Sequence, residues 1–207
     1  MSSALVLLSG GLDSAAALAW AHQKWNNVIS ITFQYHLRPE QERLAVFRLL
    51  QHFPSQLIEG PLPFLKEASD VHPSSASQAP QGYVSNRNLI FYSIAIHFAE
   101  MQKCDVIVGG HTAEDQEDFP DASPSFMKQL ESLANQALQL NKIRIELPLG
   151  SYTKLQVLEK ALEWNVPLDC TWSCYWDQTS PCGECVSCKE RAAAFAQLGK
   201  IDPLCTI

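Results

Sequence analysis

Between the apolar run Ala4 to Leu8 and the alanine-rich stretch Ala15 to Ala19, the chain reads Ser9-Gly10-Gly11-Leu12-Asp13-Ser14. This strand-to-helix turn constrains the fold more than any other stretch. A buried strand that feeds a helix through glycines is the opening unit of an α/β domain. N–H groups at the helix N-terminus point at an anion, and glycine lets a phosphate approach closely. Two familiar phosphate motifs are absent. The Gly-Lys-Ser/Thr ending of the Walker pattern is missing, and Gly10-Gly11 does not supply the three spaced glycines of a dinucleotide turn.

Further short apolar runs at Val28 to Phe33, Asp105 to Val108 and Ile143 to Leu147 read as buried strands, with Leu57-Ile58 a weaker one. None alternates strictly, as expected of a parallel sheet covered on both faces. Helical spacing lies between them. It runs over Asp13 to Lys24 and over Pro39 to His52, where Leu44, Phe47 and Leu50 share a face. It returns over Arg87 to Gln102, with Ile90, Ile94, Phe98 and Met101 on one side, then over Pro124 to Leu140 and Thr153 to Trp164. Thr153 and Gln156 have the spacing of a capping box. The alternation predicts an α/β, doubly wound, mostly parallel, Rossmann-like sheet. Residues 60–86 hold Pro61, Pro63, Pro73 and Pro80 and form a loop too long for a simple connection, so it is functional or mobile.

The 207 residues are 46% hydrophobic, enough for a full core. Acidic residues number 22 and basic residues 15, a formal charge of -7. No Lys/Arg stripe is present, so nucleic acid is not expected as a direct partner. No apolar run approaches the roughly 18 residues of a membrane helix, so no membrane partner is expected. No basic region precedes the first strand, and a cytoplasmic protein is the expectation.

Of seven cysteines, four form the series Cys174-x7-Cys182-x2-Cys185-x2-Cys188. Cys-x2-Cys spacing presents two sulfurs to one ion, and four thiolates suit tetrahedral Zn²⁺ in a closed, structural site. An iron–sulfur cluster is the competing occupant. Cys170 is a rival ligand by proximity, while Cys104 and Cys205 lie apart.

Ser9 to Ser14 matches "SGGxDS", the PP-loop of the N-type ATP pyrophosphatases. Together with Thr171-Trp172-Ser173-Cys174-Tyr175 and the cysteines that follow, it resembles the 7-cyano-7-deazaguanine synthase (QueC) family. Tyr83-Val84-Ser85-Asn86-Arg87-Asn88 is similar to that family's "YVPARN", and Phe119 to Phe126 to its "YPDCRPEF". Phe195 to Pro203 is similar to its C-terminal "GF…AG…DP", so the resemblance covers nearly the whole chain. It implies a PP-loop ATP-binding domain over residues 1–165 and a small zinc-binding helical segment over 166–207, packed on the same unit.

The resemblance further implies ATP, Mg²⁺ and structural Zn²⁺. Leu8, Ser9, Gly10, Gly11, Leu12, Asp13, Ser14, Arg87 and Gly109 would surround the nucleotide, with Asp13 near Mg²⁺. Asp13, Arg87 and Lys154 would be catalytic. Arg87 offers a forked donor to phosphate or carboxylate, or else a surface salt bridge. Lys154 neutralises developing charge, or is an exposed helix lysine. Tyr35, Arg38, Asn88, His111, Asp115, Phe119 and Asp121 would meet the substrate. His111 reads equally as a core or helix-entry residue, and Asp115 and Asp121 as caps.

The implied reaction adenylates 7-carboxy-7-deazaguanine, and ammonia converts the adenylate to an amide. A second ATP then drives loss of the amide oxygen to leave the nitrile. A homodimer is implied by resemblance alone. The loops depart from the family: Gln34 to Pro39 stands for "DYGQRH", Ser85 for a proline and Ala122 for a cysteine. That pattern leaves two other readings open. One is a QueC-like relative of antiphage operons that passes the acyl group to a protein amine. The other is an inactive nucleotide-binding module.

Overall fold

The computed structural model describes residues 2–35, 38–66, 84–176 and 179–205. Tyr83, His36, Leu37, residues 67–83 of the proline-rich loop and the Cys205 side chain lie outside the described residues. In chain order the strands are β1 (Ser3–Leu7), β2 (Asn27–Gln34), β3 (Gln56–Pro61), β4 (Val106–Val108) and β5 (Arg144–Glu146). The helices are α1 (Leu12–Lys24), α2 (Glu40–His52), α3 (Arg87–Met101), α4 (Asp115–Asp118), α5 (Pro124–Ala137), α6 (Lys154–Glu163) and α7 (Val186–Gln197). All four strand pairings are parallel, in the order β3-β2-β1-β4-β5. The doubly wound α/β expectation holds.

Strand residues alternate between two cores, as the pleat requires. Ala4, Val6, Val106 and Val108 face α1, α2, α6 and α7. Leu5, Ile29, Ile31, Phe33 and Ile107 face α3 and α5. Both faces are covered, so the strands read as continuous apolar runs. Val166, Leu168, Ala194 and Phe195 join the first core, so the C-terminal segment packs on α6 and α2. No helix among the described residues is long and apolar enough to cross a membrane.

Two helix faces differ from expectation. On α2 the buried residues are Ala45, Val46 and Leu49, while Leu44 and Phe47 sit at the exposed rim. On α3 the buried row is Tyr92, Ala95 and Ala99, and Met101 is exposed. In both, alanines face inward and let the backbone lie close to its neighbours, which side-chain bulk alone does not reveal. α5 stops at Ala137 rather than Leu140, because Leu138 turns extended and the N–H groups of Gln139 and Leu140 donate to the Glu100 carboxylate.

The capping box of α6 is complete. Gln156 N–H donates to Thr153 Oγ1, and Thr153 N–H donates to Gln156 Oε1. Replacing Thr153 with alanine is expected to cost about 1 kcal/mol of stability, read as a lowered midpoint in urea unfolding.

Candidate active site

The carboxyl ends of β1 and β4 meet where strand order reverses, the place where open α/β sheets bind ligands. A cavity of about 300 Å³ opens there. The Ser9–Ser14 turn forms one wall, and Gly109 and Gly110, just after β4, form another. α1 begins at Leu12 with Gly11 as its N-cap, and its first helical hydrogen bond runs from Ala15 N–H to Gly11 O. Leu12, Asp13 and Ser14 therefore have N–H groups with no intrahelical partner, which is an anion-binding arrangement. The turn is held by its own hydroxyls. Ser9 and Gly10 N–H donate to Ser14 Oγ, and Gly11 N–H donates to Ser9 Oγ.

Gly10 cannot be replaced without strain. Its φ is +103°, and a Cβ there would lie 2.3 Å from the Glu42 carbonyl oxygen. Gly10→Ala is expected to cost about 1–2 kcal/mol of stability or more, read as a lowered midpoint in urea unfolding.

Lys154, the first residue of α6, reaches across to α1: its Nζ donates to Asp13 Oδ2 at 2.6 Å. Burial alone would depress the Lys154 ammonium. Asp13 outweighs it, with Asp115 and Glu190 adding, so the amine titrates above its ordinary value and stays charged near neutrality. The other Asp13 oxygen, Oδ1, is buried with no hydrogen-bond partner among the described residues. The Glu114 carboxylate accepts from Lys154 N–H and adds negative charge at the start of α6.

Of the expected site residues, Leu8, Ser9, Gly11, Leu12, Asp13, Ser14, Arg87 and Gly109 line the cavity, and so do Tyr35, Arg38, Asn88, His111, Asp115, Phe119 and Lys154. Gly10 and Asp121 are not part of its wall. The Asp121 carboxylate accepts from the backbone N–H and the side-chain amide of Asn88, tying down the first turn of α3. Asp115, the first residue of α4, accepts from both the N–H and the hydroxyl of Thr112, which ties the start of α4 to the loop after β4. The Arg38 side chain is almost wholly buried and donates to Ser9 O, Phe33 O, Thr32 Oγ1 and Glu42. It clamps the phosphate turn to the end of β2. Burial pushes the His111 imidazole down, toward the neutral form.

Sequence reasoning missed several wall residues. Glu42 was signalled only by its i,i+4 spacing from Arg38. Tyr92 lies under Gly109, where a Cβ would come within 1.7 Å of its hydroxyl. Trp172, Tyr175 and Glu190 bring the C-terminal segment into the cavity. A side chamber of about 100 Å³ adjoins it beside Lys154 and Tyr175, walled by Glu114, Asp115, Asp118 and Glu190.

The four sulfurs of Cys174, Cys182, Cys185 and Cys188 lie within 4.8 Å of one another. Cys182 and Cys188 Sγ are 3.9 Å apart, against about 3.8 Å for the edge of a zinc–thiolate tetrahedron. Trp176 and Cys182 N–H donate to Cys174 Sγ, while Glu184 and Cys185 N–H donate to Cys182 Sγ. Such donors favour thiolates. Burial pushes the Cys174 and Cys188 thiols up; at Cys182 burial is outweighed by the Cys185 and Glu184 N–H groups, and the thiol falls to about 7. The donor set fits zinc. Cys170 stands apart, with its Sγ 3.8 Å from His52 Nε2.

The family described as Queuosine biosynthesis protein QueC matches residues 3–199. A 7-cyano-7-deazaguanine synthase from Synechococcus sp. is 34% identical over 219 residues, covering 99% of this chain and 96% of that protein. One from Methanosarcina mazei is 34% identical over 224 residues, covering 97% of this chain and 96% of its own. Among solved structures, NMN synthetase from Francisella tularensis superposes with a TM-score of 0.56 at 16% identity. That match covers 97% of this chain and 78% of the other, and it speaks to the fold alone. Motifs, sheet order and full-length similarity agree: the chain belongs to the QueC family.

Proposed function

We propose that the protein activates 7-carboxy-7-deazaguanine with ATP and converts it, with ammonia, to 7-cyano-7-deazaguanine. One observation carries this reading. A single cavity holds the phosphate turn, the Lys154–Asp13 pair and the Arg87–Asn88 corner of α3. Donors suited to a triphosphate and donors suited to a carboxylate thus line the same cleft.

The substrate carboxylate attacks the α-phosphorus of ATP, the α–β bridging bond breaks, and pyrophosphate leaves. N–H groups of α1 and the Lys154 ammonium oppose the negative charge on the phosphates, while Arg87 orients the carboxylate. Ammonia then adds to the acyl carbon and AMP departs, giving the amide. The amide oxygen attacks the α-phosphorus of a second ATP and displaces a second pyrophosphate; that oxygen then leaves with AMP, and loss of the two N–H protons gives the nitrile. Asp13 Oδ1 is the free acceptor that would hold Mg²⁺, which shields phosphate charge when bound. Cys174, Cys182, Cys185 and Cys188 would hold structural zinc. The reading places the enzyme in the cytoplasm as a homodimer that acts on small molecules, with no nucleic acid or membrane contact.

The acidic side chamber supports an amine as second substrate, because four carboxylates beside Lys154 attract a cation. Ammonium fits it. A protein amine entering by the same path is the second reading. Incubation with ATP, Mg²⁺ and 7-carboxy-7-deazaguanine, with and without ammonia, is expected to yield the nitrile, AMP and pyrophosphate, read by mass. Adenylate resolved only by an added protein would favour the conjugating enzyme. No pyrophosphate with any deazapurine acid would favour a binding module and refute the proposed reaction.

A further inference from the structure

Trp172 belongs neither to the thiolate cluster nor to the phosphate turn, yet it touches both. Its backbone N–H donates to the Gly10 carbonyl at 2.9 Å. Its indole Nε1–H donates to the carbonyl of Cys174 at 3.0 Å. Its ring is 4% exposed and packs with Cys174, Cys185, Cys188 and Ala45. A Cβ on Gly11 would lie 3.5 Å from the Trp172 carbonyl oxygen, so the two backbones run in contact.

Peptide geometry turns this contact into a constraint. The Gly10 carbonyl and the Gly11 N–H belong to one planar trans unit and point in opposite directions. With the carbonyl held toward Trp172, the Gly11 N–H faces away from it, toward Ser9 Oγ at 3.2 Å on the cavity wall. Gly10, at φ +103°, lies in a region where a glycine peptide turns readily if it is not held. Trp172 is the restraint on that rotation. It is fixed in turn by the latch to Cys174, a ligand of the four-sulfur site.

We propose that Trp172 is a positioning residue. Through its bond to Gly10 it sets the aim of the Gly11 N–H at the nucleotide phosphate, and it carries the rigidity of the four-cysteine site into the ATP site. This rests on the reading that the turn binds ATP. Metal content and ATP affinity are therefore coupled, although no cysteine lies in the phosphate turn.

The test compares zinc-loaded wild-type protein, zinc-loaded Trp172→Phe, and wild-type protein stripped of metal by chelator, with far-UV circular dichroism and metal content measured on each. Trp172→Phe keeps the backbone N–H and loses the indole latch. It is expected to weaken Mg-ATP binding about fivefold or more by calorimetry. The KM for ATP should rise with it, by a larger factor than the KM for the deazapurine acid. Stripped protein that keeps its fold is expected to lose ATP affinity at least as much. A folded variant with full zinc and wild-type ATP affinity would overturn the coupling, as would stripped, folded protein that binds ATP normally. Zinc-loaded wild-type protein that binds no Mg-ATP would overturn the ATP reading itself, and this inference with it.

Discussion

Replacing Lys154 with methionine is expected to lower AMP formation about 100- to 1,000-fold, the range seen when one donor to developing charge is removed from an enclosed site. The Lys154 ammonium lies within the same cavity as the phosphate turn and is already held by Asp13 at 2.6 Å. It needs no reorganisation when pyrophosphate charge develops. Methionine keeps an unbranched stem of similar length and removes the charge. The loss should fall on kcat with ATP more than on KM for the acid, and steady-state kinetics with pyrophosphate detection will read it. Some stability is lost too, because Asp13 Oδ2 is left without its partner. A Lys154→Met protein with wild-type turnover would remove Lys154 from the machinery.

Arg191→Met is expected to cost about 3–5 kcal/mol, the penalty for leaving one member of a buried ion pair alone. Arg191 and Asp202 are both almost fully buried, with Nε–Oδ2 at 2.7 Å and Nη2–Oδ1 at 3.0 Å. Arg191 also donates to Thr171 Oγ1 at 2.7 Å and to the Leu168 carbonyl at 3.0 Å. The change would leave the Asp202 carboxylate buried and charged. Against a total of about 5–15 kcal/mol for a typical domain, that is a large fraction. Urea unfolding will measure it. The Arg191→Met, Asp202→Leu pair should recover most of the loss, since an apolar replacement of both partners is often neutral. A single variant as stable as the wild type would show that the pair is dispensable.

The phosphate turn and the cysteine series were legible in the sequence because each is local. Glycine at a positive φ and Cys-x2-Cys spacing are written in consecutive residues. The parallel sheet was legible for a similar reason, since Val6, Ile31 and Ile107 lie in runs buried on both sides. Helix faces were harder. Ala45 and Ala95 are as buried as any leucine, but their size gives no signal. Roles set by distant partners were hardest. Lys154 and Asp13 are 141 positions apart, and only the fold makes them a pair. Arg38 and Asp121 carry the charges expected of substrate ligands; in the fold Arg38 binds Ser9 and Glu42, and Asp121 binds Asn88. A charge on a loop near a site announces a polar contact without saying with whom.

The serine hydroxyls of the phosphate turn carry one more consequence. Ser14 Oγ takes the N–H bonds of Ser9 and Gly10, and Ser9 Oγ takes that of Gly11. These oxygens satisfy the backbone of the turn from within. Ser14 Oγ is also a donor, to the Gly11 carbonyl at 3.0 Å, and lies 3.0 Å from Ser9 Oγ, so the two hydroxyls close the turn from both sides. The turn is therefore already shaped by its own side chains, and the N–H groups it leaves open are those of Leu12, Asp13 and Ser14 at the start of α1.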